Sequence, residues 1–270
     1  MISLTEFLGK PQRMIDEQPR LSANGASDET EKTSELRHLP IHTVEVKPES
    51  RIVLASDPRS PGADRFRLLR MSLRELRTSA KLQTVVITSA LPQDGKSTVA
   101  LNLATVLAEK GKHPVLLIEA DLHCPTLSNT LGLSVAPGLA ECLDDGLEPL
   151  SALRRLDPLQ WFLLQAGEPR GNPTELLQSA SFARVIEKLS PYFEWILIDT
   201  PPLAPLSDAI LLSRHADASL LVVRADRTPR EEVEKALTVL GPSRVAGIIL
   251  NGAEELNRLY SKYSGYYGKK

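Results

Sequence analysis

The 270-residue sequence is poor in cysteine and aromatic residues and carries almost no net charge. Its two cysteines cannot form a disulfide framework, so we expect a reducing, cytoplasmic compartment. The 32 basic and 34 acidic side chains leave a formal net charge of −2, whereas a protein that binds nucleic acid electrostatically would carry a basic surplus. The composition therefore predicts no nucleic-acid partner.

Long apolar runs are also missing. No run approaches the roughly 20 residues that a membrane-spanning helix needs. The first ten residues, MISLTEFLGK, lack the basic segment followed by an apolar segment that marks a secretory signal peptide. We therefore expect the chain to have no membrane span of its own and to reach a membrane only through a partner.

Composition divides the chain into three parts. Residues 1–56 are rich in Ser, Glu and Thr with Phe7 as their single aromatic residue, which predicts a flexible N-terminal extension. Residues 57–256 carry the apolar patterns of a folded domain. Residues 257–270 hold four of the five tyrosines among Ser, Lys and Gly, without the periodicity that packing would require. They predict a flexible C-terminal tail.

From residue 84 onward, short aliphatic runs alternate with helical periodicity. The runs are continuous rather than alternating apolar and polar, as expected of strands that are buried on both faces. This alternation of strands and helices predicts an α/β domain with a doubly wound, mostly parallel sheet. The predicted strands are 84–88, 115–118, 161–164, 195–198, 220–223 and 246–250, and the predicted helices are 63–79, 97–110, 174–190, 205–214 and 229–240.

The segment TVVITSALPQDGKSTVALNLA holds the most informative motif. A buried strand leads into a loop that ends in Gly95, Lys96 and Ser97, and an amphipathic helix follows, which is the arrangement of a P-loop. Gly95 allows the backbone to approach a phosphate, Lys96 supplies charge to the β- and γ-phosphates, and Ser97 is placed to ligate Mg²⁺. The usual pattern G-x-x-x-x-G-K-[ST] departs at its first position, Ala90. The predicted nucleotide-binding residues of the loop are Gln93, Asp94, Gly95, Lys96, Ser97 and Thr98.

Two further aliphatic runs end in carboxylates. Glu119 and Asp121 follow the run 115–118, and Asp199 follows the run 195–198. Ligands of doubly wound sheets bind at the carboxyl ends of the strands, where these side chains would lie beside the P-loop. Because Mg²⁺ prefers hard oxygen ligands, the three carboxylates are predicted to serve as metal ligands and as a catalytic base. Each of them, taken alone, is also compatible with a helix cap.

Asn251 follows the last aliphatic run. Its amide could hydrogen-bond the edge of a nucleotide base or simply occupy a turn, and the sequence favours neither. The remaining histidines and cysteines have no ligand-like spacing, so no metal beyond Mg²⁺ is predicted.

Together these segments resemble the bacterial tyrosine kinases (BY-kinases) of capsular and exopolysaccharide synthesis, in particular the stand-alone cytoplasmic type. The resemblance covers about residues 57–268. It rests on SALPQDGKST as the first phosphate motif, LLIEADLHCP as the second motif and ILIDTPP as the third. The stretches GNPTELLQS, SDAILLSRHAD and VAGIILN and the terminal YSKYSGYYGKK strengthen it.

The resemblance implies a protein-tyrosine kinase that uses ATP and Mg²⁺ and phosphorylates the C-terminal tyrosines of a neighbouring copy. It implies that Lys96 stabilises phosphate charge and that Asp121 or Glu119 accepts the tyrosine proton. The acceptors are then Tyr260, Tyr263, Tyr266 and Tyr267, and the metal ligands Ser97, Asp121 and Asp199.

The resemblance also implies that the chain assembles with other proteins. The partner would be a membrane chain-length protein that activates the kinase, which places the chain at the inner face of the membrane. The resemblance further implies that copies of the chain form a ring. In the family this ring is supported by an E-x-x-R-x-x-R motif, whose positions are occupied here by Asp64, Arg67 and Arg70.

The second motif departs from the pattern D-x-D-x-R. Glu119 adds a methylene and moves its carboxylate by roughly an ångström, a displacement that can cost about 10²-fold in rate. His123 replaces an arginine, which would be permanently charged. Two other functions therefore stay open: a non-kinase ATPase switch, resembling the cell-division and plasmid-partition ATPases, and a catalytically weak scaffold that binds ATP.

Overall fold

The computed structural model describes residues 32, 34–204 and 207–253. Within these residues, eight strands form a single sheet. The strands are β1 Ile41–Thr43, β2 Thr84–Ser89, β3 Val115–Glu119, β4 Leu153–Asp157, β5 Trp161–Leu164, β6 Trp195–Asp199, β7 Ala218–Arg224 and β8 Val245–Asn251. Their order across the sheet is β1-β4-β5-β3-β6-β2-β7-β8, and every neighbouring pair is parallel except β4 with β5. The predicted α/β fold with a mostly parallel sheet is confirmed.

Helices connect the strands and cover both faces of the sheet. Among the described residues they are α1 at 34–38, α2 Val53–Ser56, α3 Pro61–Ala80, α4 Lys96–Ala108, α5 Leu127–Thr130, α6 Leu139–Asp144, α7 Pro173–Gln178, α8 Ala180–Leu189, α9 Asp208–Ser213 and α10 Arg230–Leu240. None of the helices in this part of the chain is both long and apolar enough to cross a bilayer.

The hydrophobic core divides between the two faces because successive strand residues point in opposite directions. Val85 and Ile87 of β2 lie in one cluster with buried residues of α3 and α4. Val86 of β2 and Ile198 of β6 lie in another cluster, with buried residues of α6, α7, α8 and α9. The central strands are thus buried on both sides, which explains their continuous aliphatic sequences.

Some elements differ from the prediction. β4 was not predicted because its sequence LRRLD alternates apolar and charged residues, as suits a strand near the sheet edge. The predicted helix 174–190 is two helices, since Ser179 adopts an extended conformation and caps α8 through a hydrogen bond from the Ser181 amide to its Oγ.

The predicted boundary after residue 56 lies too far along the chain. β1 pairs with β4, Ile52 is fully buried, and the Asn102 side chain binds the Val53 amide and the Arg51 carbonyl, each at 2.8 Å. The end of the proposed extension is therefore part of the folded domain, because a few apolar residues and one buried amide anchor an otherwise polar segment. Residues 1–31 and the tail 257–270 lie outside the described residues.

Candidate active site

The carboxyl ends of the central strands bring the predicted site residues together. The P-loop follows β2, Asp121 follows β3, Asp199 ends β6 and Asn251 ends β8. These strands run parallel to each other, so their carboxyl ends all lie at the same end of the sheet, as in other doubly wound folds. Lys96 begins α4, so the amino end of that helix faces the same place.

Gly95 is required by the shape of the P-loop. Its φ of +97° lies in the left-handed region, and a Cβ atom there would sit 2.1 Å from Nδ2 of Asn251. That Nδ2 donates a hydrogen bond to the Asp94 carbonyl at 2.9 Å. Asn251 therefore lies beside the loop and holds its backbone. Whether it also contacts a nucleotide base remains a prediction.

The side chains of Gln93 and Asp94 are engaged in forming the loop. Asp94 is buried and accepts hydrogen bonds from the Leu91 amide at 3.0 Å and from Oγ1 of Thr228 at 2.7 Å. Oε1 of Gln93 accepts a hydrogen bond from Arg227 at 3.0 Å. These two predicted nucleotide-binding residues thus shape the cradle, and Thr228 and Arg227, which no motif indicated, support it from the loop after β7.

Lys96 lies directly against Asp121. Its Nζ is 3.0 Å from Oδ2 of Asp121 and 3.3 Å from Oγ of Ser97. Burial alone would lower the pKa of Lys96, but the charges of Asp199 and Asp121 and the hydrogen bond to Asp121 together raise it. The lysine is therefore held as a cation at the mouth of the P-loop, where phosphate charge would be stabilised.

Ser97 and Asp199 form the second half of the site. Oγ of Ser97 donates to Oδ2 of Asp199 at 2.8 Å, whereas Oδ1 of Asp199 is buried without a hydrogen-bond partner among the described residues. Burial raises the pKa of Asp199 to about 7, although Lys96 and the hydrogen bond from Ser97 oppose that rise. A buried carboxylate with one free oxygen beside a serine hydroxyl fits a hard divalent cation such as the Mg²⁺ that P-loop proteins use.

Glu119 is placed differently from the catalytic role that the sequence suggested. It is fully buried, and its Oε1 accepts hydrogen bonds from the Leu127 amide at 2.6 Å and the Ser128 amide at 3.3 Å. Its Oε2 accepts from Oγ of Ser128 at 2.6 Å and from the Ala166 amide at 3.3 Å. Both oxygens thus accept hydrogen bonds, from groups at the start of α5 and just after β5. Glu119 therefore has a structural role, as a cap of α5. Of the two candidate bases, this leaves Asp121 beside Lys96.

His123 is the centre of a small polar cluster that the sequence did not reveal. Its Nε2 lies 2.9 Å from Oδ2 of Asp208, which is fully buried, and Oγ1 of Thr174 donates to Oδ1 of Asp208 at 2.9 Å. A small pocket of about 80 Å³ opens beside His123, between Leu122 and Arg170. Asp208 and Thr174 belong to the flanking stretches that supported the family resemblance, but nothing in their spacing indicated that they meet.

The predicted assembly residues lie away from the P-loop, on α3. Arg67 pairs with Asp64 at 2.7 Å and also donates a hydrogen bond to the Pro58 carbonyl at 2.7 Å. Arg70 pairs with Glu109 at 2.7 Å and is more buried than Arg67. The structure therefore leaves Asp64 exposed and Arg67 partly exposed, whereas Arg70 is engaged within the chain. The four tail tyrosines lie outside the described residues.

Comparisons with known proteins identify close relatives, although no protein-family model matches the chain. Tyrosine-protein kinase YwqD of Bacillus subtilis is 34% identical over 221 residues, which cover 81% of this chain and 92% of that protein. The succinoglycan biosynthesis transport protein ExoP of Rhizobium meliloti is 34% identical over 224 residues, covering 81% of this chain but only 28% of ExoP. The chain thus spans nearly all of one relative and a fraction of a longer one.

Solved structures agree with these relatives. The chimerical protein CapA2B2 covers 82% of this chain with a TM-score of 0.69 and 29% identity. The septum site-determining protein MinD of Pyrococcus horikoshii, solved with Mg-ADP, covers 64% with a TM-score of 0.55 and 25% identity. MinD shares the P-loop fold, but the sequence relatives at 30% identity or more include tyrosine kinases that match most of this chain. The chain therefore belongs to the bacterial protein-tyrosine kinases.

Proposed function

We propose that this chain transfers the γ-phosphoryl group of Mg·ATP to tyrosines in the C-terminal tail of a neighbouring copy. The acceptors are Tyr260, Tyr263, Tyr266 and Tyr267. The observation that carries the proposal is the convergence of Lys96 with Asp121, and of Ser97 with Asp199, around the Gly95 cradle at one sheet edge. Family membership supports tyrosine as the acceptor, and the Mg-ADP in MinD supports the same ligand class here.

Phosphoryl transfer asks mainly for positioning and for stabilisation of charge. The loop amides and Lys96 are placed to bind the phosphates, and the cation of Lys96 stabilises the charge that develops on the transferred group. Ser97, Asp199 and Asp121 would hold Mg²⁺, which neutralises phosphate charge when it is bound.

Asp121 is our candidate for the group that receives the acceptor tyrosine's proton. Its Oδ1 accepts a hydrogen bond from the Cys124 amide at 3.1 Å, and its Oδ2 faces Lys96. Each oxygen of Glu119, the alternative, already accepts two hydrogen bonds from the fold, whereas Oδ1 of Asp121 accepts one and Oδ2 lies against Lys96. The pocket beside His123 opens on the segment that follows Asp121, which makes it a reasonable entry for the acceptor ring.

The wider setting follows from the same proposal. We infer a ring of copies in which Asp64 and Arg67 contact a neighbour, a membrane chain-length protein as activating partner, and a position at the inner face of the membrane. The name of ExoP supports a role in polysaccharide synthesis and export.

The direct test compares the purified full chain with the Lys96→Ala variant, each incubated with Mg·ATP and the cytoplasmic segment of a chain-length partner. We expect phosphate on the tail tyrosines of the parent protein and a loss of about 10²–10³-fold in the variant. A control variant with the four tail tyrosines changed to Phe should still bind nucleotide but lose the anti-phosphotyrosine signal. Tail phosphorylation that persists in Lys96→Ala would overturn the proposed site.

The second candidate, a catalytically weak scaffold, is favoured by one observation, the exchange of the second motif to Glu119 and His123. If these two residues limit the rate, the double variant Glu119→Asp and His123→Arg should phosphorylate itself much faster. We expect no such gain, since Glu119 is a buried cap and His123 is bound to Asp208. A gain of about 10²-fold would support the scaffold instead.

A further inference from the structure

A large cleft lies at the opposite end of the sheet from the P-loop. It opens where the chain enters β3 and β6, between the turn 111–114 and the turn 191–194. The β4–β5 hairpin and the segment around α1 complete its walls. The cleft and the P-loop are thus separated by the length of β3, so a ligand of one would not fill the other.

The cleft is strongly basic. Among its described lining residues, Glu194 is the one acidic side chain, and its Oε2 already contacts Nδ1 of His113 at 2.5 Å. Arg37 and Lys112 are exposed and form no ion pair with any described residue. The basic lining residues are Lys32, Arg37, Lys112, His113 and Arg155. An anion entering the cleft would therefore meet a surplus of positive charge.

The same cleft has aromatic residues in its lining. Phe162 and Phe193 are almost fully buried, and their rings pack edge to face with centroids 5.4 Å apart. Tyr192, which precedes Phe193 on the lining turn, is partly exposed. The lining thus combines groups that bind phosphate with a partly exposed aromatic ring, and such a combination suits an aryl phosphate.

The size of the cleft suits one phosphorylated side chain. Its volume is about 740 Å³. Pockets that hold a small ligand usually measure about 300–1,000 Å³. The cleft can therefore take up one aryl phosphate, and the rest of a bound peptide would lie outside it.

We propose that this basic, aromatic cleft binds the phosphorylated C-terminal tail of this kinase. The inference rests on the proposed function, because that function makes phosphotyrosine the product. It adds a second site, at the far end of the sheet, that recognises the tail once the P-loop site has modified it. Product recognition by the kinase domain would couple the state of the tail to the state of the assembly.

Charge makes this recognition dependent on phosphorylation. The unmodified segment NRLYSKYSGYYGKK, residues 257–270, carries four basic and no acidic side chains, so a basic cleft repels it. Each phosphotyrosine adds about −1.5 to −2 charges at pH 7. Four of them reverse the sign of the segment. The tail is thus excluded from the cleft before phosphorylation and attracted to it afterwards.

The test measures binding of a labelled synthetic peptide of residues 257–270 to the full-length, dephosphorylated protein saturated with Mg·ADP. The peptide carries phosphate on Tyr260, Tyr263, Tyr266 and Tyr267, and the comparison peptide carries none. We expect the phosphopeptide to bind at least about tenfold more tightly, with an affinity that falls as salt rises from about 50 to about 200 mM.

Variants locate the site. Arg37→Glu and Lys112→Glu change exposed side chains, and each should lower the affinity for the phosphopeptide by about tenfold. Lys235→Glu is the matched control, because it reverses an exposed charge on α10 at the other edge of the sheet. Equal affinity for the two peptides, or phosphopeptide affinity that Arg37→Glu and Lys112→Glu leave unchanged, would overturn the inference.

Two further measurements distinguish binding of the phosphorylated tail from binding of free nucleotide and from a failure of the kinase reaction. Excess ATP or inorganic phosphate should displace the phosphopeptide poorly, and full displacement by ATP would assign the cleft to free nucleotide instead. Since the peptide is synthesised with its phosphates, it reports on the cleft even if the chain lacks kinase activity. Failure of the kinase assay would overturn the proposed function and leave the binding result standing.

Discussion

Glu119 and Asp199 show how two carboxylates in matching positions can serve opposite purposes. Each is the last residue of a central strand, they pair across β3 and β6, and both are almost completely buried. Glu119 has all its contacts within the protein, whereas Asp199 keeps one buried oxygen without a partner. A satisfied carboxylate stabilises the fold, and an unsatisfied one costs stability and is available to a ligand.

The largest expected effect comes from Asp199→Asn. The substitution removes a charge from the proposed metal site, so autophosphorylation should fall by about 10²–10³-fold. The free energy of unfolding should stay the same or rise, because a buried carboxylate with one unsatisfied oxygen is replaced by a neutral group. Kinase assays and urea unfolding on the same preparation test both statements. A variant that is unstable but fully active would contradict the assignment of Asp199.

The pH dependence of stability should follow Asp199 in the nucleotide-free protein. Burial raises its pKa in the folded state to about 7, against an ordinary value of 3.8, so between these values the folded state binds more protons than the unfolded state. Asp199 therefore makes the free energy of unfolding decrease as pH rises from about 4 to about 7, by at most about 4 kcal/mol. Urea unfolding across this range should show a shallower decrease in Asp199→Asn, and an unchanged slope would refute the shift.

Glu119→Gln tests the other member of the pair. One of the new amide's hydrogen atoms would face the Ala166 amide, and a buried ionic acceptor is lost, so we expect destabilisation by about 1–3 kcal/mol. Nucleotide affinity of the folded protein should change little. Urea unfolding and nucleotide titration separate the two quantities. If Glu119→Gln instead abolished phosphoryl transfer in a stable protein, Glu119 would regain the role of catalytic base.

The smallest effect concerns the hydroxyl partners of the two carboxylates. Ser128→Ala removes the 2.6 Å hydrogen bond to Glu119. It should lower the free energy of unfolding by about 1 kcal/mol and leave the affinity for Mg·ADP unchanged. Ser97→Ala removes the equivalent bond to Asp199 and should instead lower the affinity for Mg·ADP with little loss of stability. Thermal unfolding with and without nucleotide provides the measurement. Identical profiles for the two variants would show that the two hydroxyl groups play the same role.

Much of the fold could be predicted because burial leaves a direct trace in sequence. The strand Trp161–Leu164 was predicted with its exact bounds, and β2, β3 and β6 to within one residue at one end. The same reasoning missed β1, which is only three residues long, and β4, where charged residues interrupt the apolar pattern. It also placed Ile52 in a flexible extension. In a polar segment, a single buried residue has no periodic signal.

The sequence predicted which residues lie at the site, but it did not predict which of them contact each other. Lys96 and Ser97 were identified from the P-loop motif and Asp121 and Asp199 from the strand ends, and the four do converge. The support of Asp94 by Thr228 and the contact of His123 with Asp208 join residues far apart in the chain, and no local pattern encodes them.

The amino-acid sequence by itself determined the P-loop, the parallel sheet and the four tyrosines of the tail, because these depend on local residue types and on hydrophobic periodicity. The tertiary structure alone decided which strand-end carboxylate is a cap and which is open to a metal, because that depends on donors brought in from distant segments. It alone also assembled the basic cleft, whose charges come from four separate parts of the chain.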